Sequence, residues 1–290
     1  MALNFCWAGV YSAYKVIPLP TGGMVTLRFG LAGVILALAW PWLPGPAPKG
    51  RDLAITCLLG LIVYVIGQRL QIYGTLIGSA GNSSVLMAFE PLITSVGAAI
   101  FLHEHIGPRR LAGFGLGIVG VLLLNGVWRS DFHWTGLHAS LIFISSFLCE
   151  TAYSVAGKPI VIRASPAKML AISLLVGAAG NLLIDGQHTL SAARLLSPQA
   201  WLLLWAMALI CTAFGYTVWF VVIRECPVNV AALTIFAQAL FGVLLANLWV
   251  REPLHWGQFW GGLTIVAGLG IGLSRQVRRP QGSDRSDRSD

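Results

Sequence analysis

Between residues 2 and 274 the sequence is a train of apolar stretches of about twenty residues each, the length of helix that crosses roughly 30 Å of hydrocarbon. Almost none of them has the polar face that a soluble helix turns to water. Only 10% of the 290 residues are charged and 56% are hydrophobic. Soluble domains carry about a quarter charged residues. Thirty-three glycines would weaken soluble helices, yet glycine lets membrane helices approach closely. A soluble globular fold is excluded, and an all-α integral membrane protein remains.

Prolines, glycines and charge clusters mark the boundaries between stretches. Spans fall near residues 2–17, 22–42, 52–76, 80–102, 108–127, 135–157, 167–185, 199–223, 229–249 and 256–274. The first starts beside Met1 without a basic leader and runs into Lys15 and the turn at Pro18 and Pro20. It is read as a short spanning helix and not as a cleaved signal. Residues 275–290 are polar and repetitive and read as a disordered basic tail. With the amino terminus inside, thirteen basic residues fall on the cytoplasmic side: Lys49, Arg51, Arg109, Arg110, Lys158, Arg163, Lys168, Arg224, Arg275, Arg278, Arg279, Arg285 and Arg288. Lys15, Arg129, Arg194 and Arg251 fall opposite. This imbalance places both termini in the cytoplasm, in a bacterial-type inner membrane. It also accounts for the net charge of +8 without nucleic acid.

Other chemistries find no support. The five cysteines are scattered without a CxxC spacing, so neither a disulfide nor a metal site is expected. His103 and His105, one residue apart, would point to different sides of a helix and are not read as metal ligands. There is no P-loop, nucleophile elbow or dinucleotide fingerprint, so no cofactor is assigned and ATP-driven or redox chemistry is set aside. Polar groups lie along the spans and do not gather at one interface as an enzyme's would.

Residues 60–120 match residues 208–268 at a constant offset of 148. Gly67 falls on Gly215, Glu104 on Glu252, Gly113 on Gly261 and Gly120 on Gly268. Five spans in residues 1–130 and five in residues 131–274 make two repeats. An odd number in each inserts the second upside down relative to the first. Inverted repeats place a substrate site at their interface near the midplane.

Away from the span ends, Glu90 and Glu150 are the two acids within spans, and an ionisable group there costs several kcal/mol unless it faces protein or water. Glu90 shares a helical face with Ser83, Thr94 and Gly97, and Pro91 after it frees a backbone carbonyl. It reads either as a site for a substrate amine or proton, or as a structural hydrogen-bonding group at a kink. Glu150 has no kink to explain it and is the sharper candidate, although pairing with a basic loop residue is also open. Tyr64, Gln68 and Gln71 lie along one face, and their partners at the offset are Thr212, Tyr216 and Trp219. Two such stripes suit the walls of an aqueous cavity, with amides for polar groups and aromatics for stacking or cation–π contact. Plain interhelical hydrogen bonding is the alternative. Trp7, Tyr11 and Tyr14 from the first span, with Gln238 and Asn247 from the ninth, would close the same cavity. Arg28 reads as near enough to a helix end to snorkel. Arg69 would pair with an acid or bind a substrate carboxylate. Glu104 and Glu252 sit at span ends and read as structural hinges. Gly113 and Gly117, with Gly257 and Gly261, either hold two spans of one chain together or pair two copies as a homodimer.

These features together resemble the drug/metabolite transporter superfamily, of the EamA type, over about residues 4–274. The resemblance rests on Trp7, Lys15, Pro18 and Pro20, on Leu27-Arg28-Phe29, on Ala80 through Phe89-Glu90-Pro91, and on Leu102-His103-Glu104. It continues through Gly113 to Gly120, Gly136, Ala231-Ala232-Leu233, Arg251-Glu252-Pro253 and Gly261 to Gly268. It departs at Gln238-Ala239, where the second repeat lacks the Glu-Pro of the first. It implies a ten-helix secondary carrier, and export of an amino acid or related metabolite by alternating access. Protons are the candidate coupling ion and membrane lipid the surroundings. A flippase for lipid-linked substrates, or an accessory membrane subunit, is the alternative.

Overall fold

In a computed structural model, residues 2–78, 83, 86–130, 137–241 and 256–274 are described, the side chains at 2, 3, 6, 11, 12 and 15 excepted. These residues form helices and connecting turns, with no strand among them. Lipid explains the restriction, because a helix satisfies its own backbone polar groups without water. We label them α1 (Ala2–Ala8), α2 (Val10–Val16), α3 (Thr21–Leu38), α4 (Arg51–Ile77), α5 (Met87–Phe101) and α6 (Pro108–Leu124). There follow α7 (Leu137–Arg163), α8 (Pro166–Arg194), α9 (Pro198–Glu225), α10 (Val228–Phe241) and α11 (Trp256–Leu273). Among the described residues, α3, α4, α7, α8 and α9 are long and apolar enough to cross a membrane. Arg251, Glu252, Pro253, Asn247 and the tail lie outside the described residues.

The expected boundaries need three corrections. The first span is divided at Gly9 into α1 and α2. The separator expected after residue 157 is instead helix, and α7 runs through Lys158 and Pro159 to Arg163. A proline removes one backbone donor, and the turn survives because Ile160 and Val161 are buried against the rest of the bundle. The seventh span continues past residue 185 to Arg194, with a kink at Asp185 (φ −145°, ψ 32°). There the Arg69 guanidinium donates to Asp185 at 2.8 Å and to Asn181 at 2.5 Å. Arg69 is thus paired with an acid across α4 and α8.

The helices pack in pairs: α3 lies along α8, α5 touches α10 and α6 lies along α11. The bounds keep the offset found in the sequence. Shifted by 148, α4 spans 199–225 against 198–225 for α9, and α6 spans 256–272 against 256–273 for α11. Glu104, one of the expected hinges, lies in the non-helical link before α6, together with His103 and His105. Its carboxylate accepts the backbone N–H groups of Val228 and Asn229 at the start of α10, at 2.8 and 3.0 Å, and Lys158 donates to it at 2.9 Å. A carboxylate on the first turn of a helix satisfies orphan donors and the helix dipole together, which is a structural role.

Glycine decides how close α6 and α11 come. A Cβ on Gly261 would sit 2.6 Å from the Leu124 nitrogen and 2.7 Å from the Gly120 carbonyl oxygen. A Cβ on Gly120 would meet the Gly261 oxygen at 2.9 Å. The small residues are therefore spent on a contact within the chain. Gly261→Ala is expected to cost about 1–3 kcal/mol, since backbone on both sides must separate. Gly270→Ala on the same helix meets nothing within 4 Å and should leave the thermal midpoint in detergent unchanged. Equal shifts for the two variants would refute the close-packing account.

Candidate functional site

Two helices change their winding midway. In α4 residues Ile62–Gly67 are π-helical, and in α9 residues Met207–Phe214 are. A π turn carries an extra residue and disturbs the regular backbone ladder. Side chains from neighbouring helices use the carbonyls of these turns. Asn181 of α8 donates to the Tyr64 carbonyl at 2.8 Å, and the Trp7 indole of α1 donates to the Cys211 carbonyl at 2.7 Å. One turn further along, Gln68 and Gln71 of α4, and Tyr216 and Trp219 of α9, reach the middle of the bundle.

There they line a cavity with Trp7, Val10, Tyr14, Arg28, Met87, Glu90, Glu150, Ser154, Ile235 and Gln238. Its free volume is about 60 Å³, enough for a few waters. Anything the size of an amino acid must displace side chains to enter. The walls differ in character. On the α4 and α5 side stand Gln68, Gln71 and Glu90. On the α1 and α9 side Trp7 stacks at 5.4 Å from Tyr216 and 6.2 Å from Trp219, ring centre to ring centre. Glu150 of α7 sits between, accepting from Gln68 at 2.5 Å and from Tyr216 at 3.5 Å on the same oxygen. The two acids lie within electrostatic reach of each other, and Arg28 within reach of Glu150.

The acids, Gln68, Gln71, Tyr216, Trp219, Trp7 and Gln238 thus meet in one place, as the sequence pattern suggested. Tyr64 and Thr212 stand one layer behind. Tyr64 is wholly buried, bonding the Tyr153 hydroxyl at 3.1 Å, and Tyr153 in turn pairs with Ser173 at 2.5 Å. Thr212 accepts from the Arg28 Nε at 2.9 Å. The Tyr11 side chain lies outside the described residues. Arg28 corrects the snorkelling reading: it is 3% exposed, donates to the Tyr14 hydroxyl and to Thr212, and lies 4.8 Å from the Phe29 ring. Its position seven residues into α3 puts it about 10 Å from the helix start, and its guanidinium turns inward to the cavity wall and not to the helix end. Ser154, which accepts from the Trp219 indole at 3.1 Å, was also overlooked and follows Glu150 by one helical turn. Among the described residues no group of His, Cys, Asp and Glu is placed to hold a metal.

A profile of the EamA-like transporter family matches residues 1–126 and again residues 137–273. Among curated proteins, a probable terminal-alkyne amino-acid exporter of Streptantibioticus cattleyicolor is 23% identical over 91% of this chain and 88% of its own length. An uncharacterized transporter of Archaeoglobus fulgidus is 23% identical over 93% of this chain and 94% of its own. A riboflavin transporter of Vibrio cholerae is 27% identical over 34% of this chain and 32% of its own. One protein crystal structure superposes with a TM-score of 0.75 over 93% of each chain at 16% identity, a likeness of fold.

Proposed function

We propose that this chain, which belongs to the EamA-like transporter family, is a secondary carrier that exports a small polar metabolite by alternating access. It is a multi-pass membrane transporter of the drug/metabolite superfamily and not an enzyme. The observation that carries the finer reading is the central cavity. Helices from both halves of the chain bring two carboxyl groups, three amides and four aromatic side chains to one cavity halfway along the bundle. Acids within a span are too costly to keep there without a task, a partner or water, and Glu90, which faces the cavity, has no hydrogen bond or ion pair among the described residues.

In this reading, residues 1–130 and 131–274 are five-helix repeats of opposite orientation, and ten spans enclose the cavity. The matching helix bounds, the two π turns and the doubled family match support that architecture. Tyr64, Thr212 and Tyr11 shape the wall behind the groups that touch substrate. Both termini face the cytoplasm of an inner membrane, as the loop charges argue. The substrate is an amino acid or a compound close to one, in keeping with the exporter relative. Protons are the coupling ion, exchanged at Glu150 and Glu90 as substrate arrives and leaves. Flipping of lipid-linked substrates finds no comparable observation.

The test is reconstitution in liposomes loaded with labelled amino acids and amines, with and without an imposed pH gradient. Flux that follows the gradient is expected. Flux of the same size with and without it would remove proton coupling, and no flux for any compound would remove the carrier reading.

A further inference from the structure

We infer that a second pocket, where the start of α6, the start of α10 and the end of α11 meet, binds the phosphate of an anionic phospholipid of the phosphatidylglycerol type. This goes beyond the carrier reading and does not depend on what is carried. The pocket holds about 450 Å³ of free space, against about 60 Å³ in the central cavity. It lies at the end of the bundle that the loop charges assign to the cytoplasm. Arg109 and Arg110 of the first turn of α6 line it, with His105 from the link before them and Asn229 of α10. Glu104 also lines it, but both of its oxygens are occupied. Lys158 and the Val228 N–H donate to one, and the Asn229 N–H and side-chain amide donate to the other.

Arg110 has capacity left. Its Nη1 donates to two neutral acceptors, the His105 carbonyl at 2.8 Å and the Asn229 Oδ1 at 2.6 Å. Its Nε and Nη2 bond nothing among the described residues, and no carboxylate pairs with it there. The two bonds fix the guanidinium and leave its other edge as a fork, the geometry that holds a phosphate by two parallel bonds. Loop charge bias accounts for arginines at this end of the bundle, but not for a cavity built around unused donors. Basic pockets between spans at this face suit anionic headgroups. The surroundings favour a lipid over a soluble phosphate. Val230 and Leu273 share the lining, and α6 and α11 leave Leu111, Val119, Val266 and Ile271 exposed. A headgroup in the pocket would leave its acyl chains against those apolar faces. A zwitterionic lipid would bring an ammonium group up to Arg109 and Arg110, which repel it.

The test titrates the full-length chain in detergent with phosphatidylglycerol, with phosphatidylcholine of the same chains and with glycerol phosphate, read by native mass spectrometry. Phosphatidylglycerol is expected to bind at least about tenfold more tightly than phosphatidylcholine, the worth of two arginines at a lipid surface. Glycerol phosphate at equal concentration should not displace it. Arg109→Gln with Arg110→Gln should bring the two lipids within about threefold of each other. Lys49→Gln with Arg51→Gln removes the same charge from exposed positions outside the pocket and should keep the preference. Equal binding of the two lipids by the wild type would overturn the proposal without any variant having to fold. So would a preference that survives the pocket variant, or one that the outer variant abolishes as fully. Displacement by glycerol phosphate would make the pocket a soluble-anion site and refute the lipid. Should the pocket pair fail to fold, Arg109→Gln alone, at an exposed position, should still narrow the preference, and an unchanged preference would count against the pocket.

Discussion

Glu150→Gln is expected to lower gradient-driven flux in liposomes by about 10- to 100-fold, the worth of a charged hydrogen-bond partner. Glu150 joins the two walls of the cavity: the Gln68 amide reaches it from one side and the Tyr216 hydroxyl from the other. An amide in its place can still accept from both, so the local packing should persist and the protein should fold. What it cannot do is exchange a proton or carry the negative charge that answers a substrate cation. The loss should therefore appear in gradient-driven flux, while binding of a neutral competitor stays near its original strength. A variant that keeps wild-type flux and its response to pH would return Glu150 to a purely hydrogen-bonding role. A variant that loses flux only because it is misfolded would show itself in the melting profile.

Much of this site was legible before any coordinates, and the reason is periodicity. Gln68 and Gln71, like Tyr216 and Trp219, stand three residues apart on helices whose ends are marked by proline, glycine and charge. Face assignments therefore follow from helical geometry alone. An acid in a span also identifies itself, since lipid tolerates it so poorly. The failures share a different cause. Tyr64 and Thr212 continue those stripes on a regular helix, but each lies in a π turn, where the extra residue rotates the preceding positions away from the cavity. Lys158 and Pro159 look like a boundary because proline and charge normally end a span. Here Lys158 instead finds Glu104 and the Cys226 carbonyl, and the helix continues. These contacts span 54 and 68 residues of sequence, so no local pattern announces them.

Arg28→Met is the substitution expected to destabilise the protein most, by about 2–4 kcal/mol, because it leaves the Tyr14 and Thr212 hydroxyls without their charged donor and Glu150 without the cation in its electrostatic reach. Arg28 of α3 bonds residues of both α2 and α9 beside the cavity. Its guanidinium holds the Tyr14 hydroxyl and Thr212 at once, and Thr212 itself belongs to the π turn of α9 by its bond to the Met207 carbonyl at 3.1 Å. Removing it withdraws two hydrogen bonds and the counter-charge to Glu150 in a single step. Lysine should not rescue it, because a single ammonium on a flexible stem cannot reproduce the fork that meets both hydroxyls. The sharper result lies in the double variant. If electrostatic pairing with Glu150 is the larger part of the cost, Arg28→Met with Glu150→Gln should melt closer to the wild type than Arg28→Met alone, with a coupling of about 1–3 kcal/mol. If the two changes simply add, the cost belongs to the lost hydrogen bonds and packing around Tyr14 and Thr212. Arg28 would then be a brace for the π turn and not the charge partner of the cavity acid.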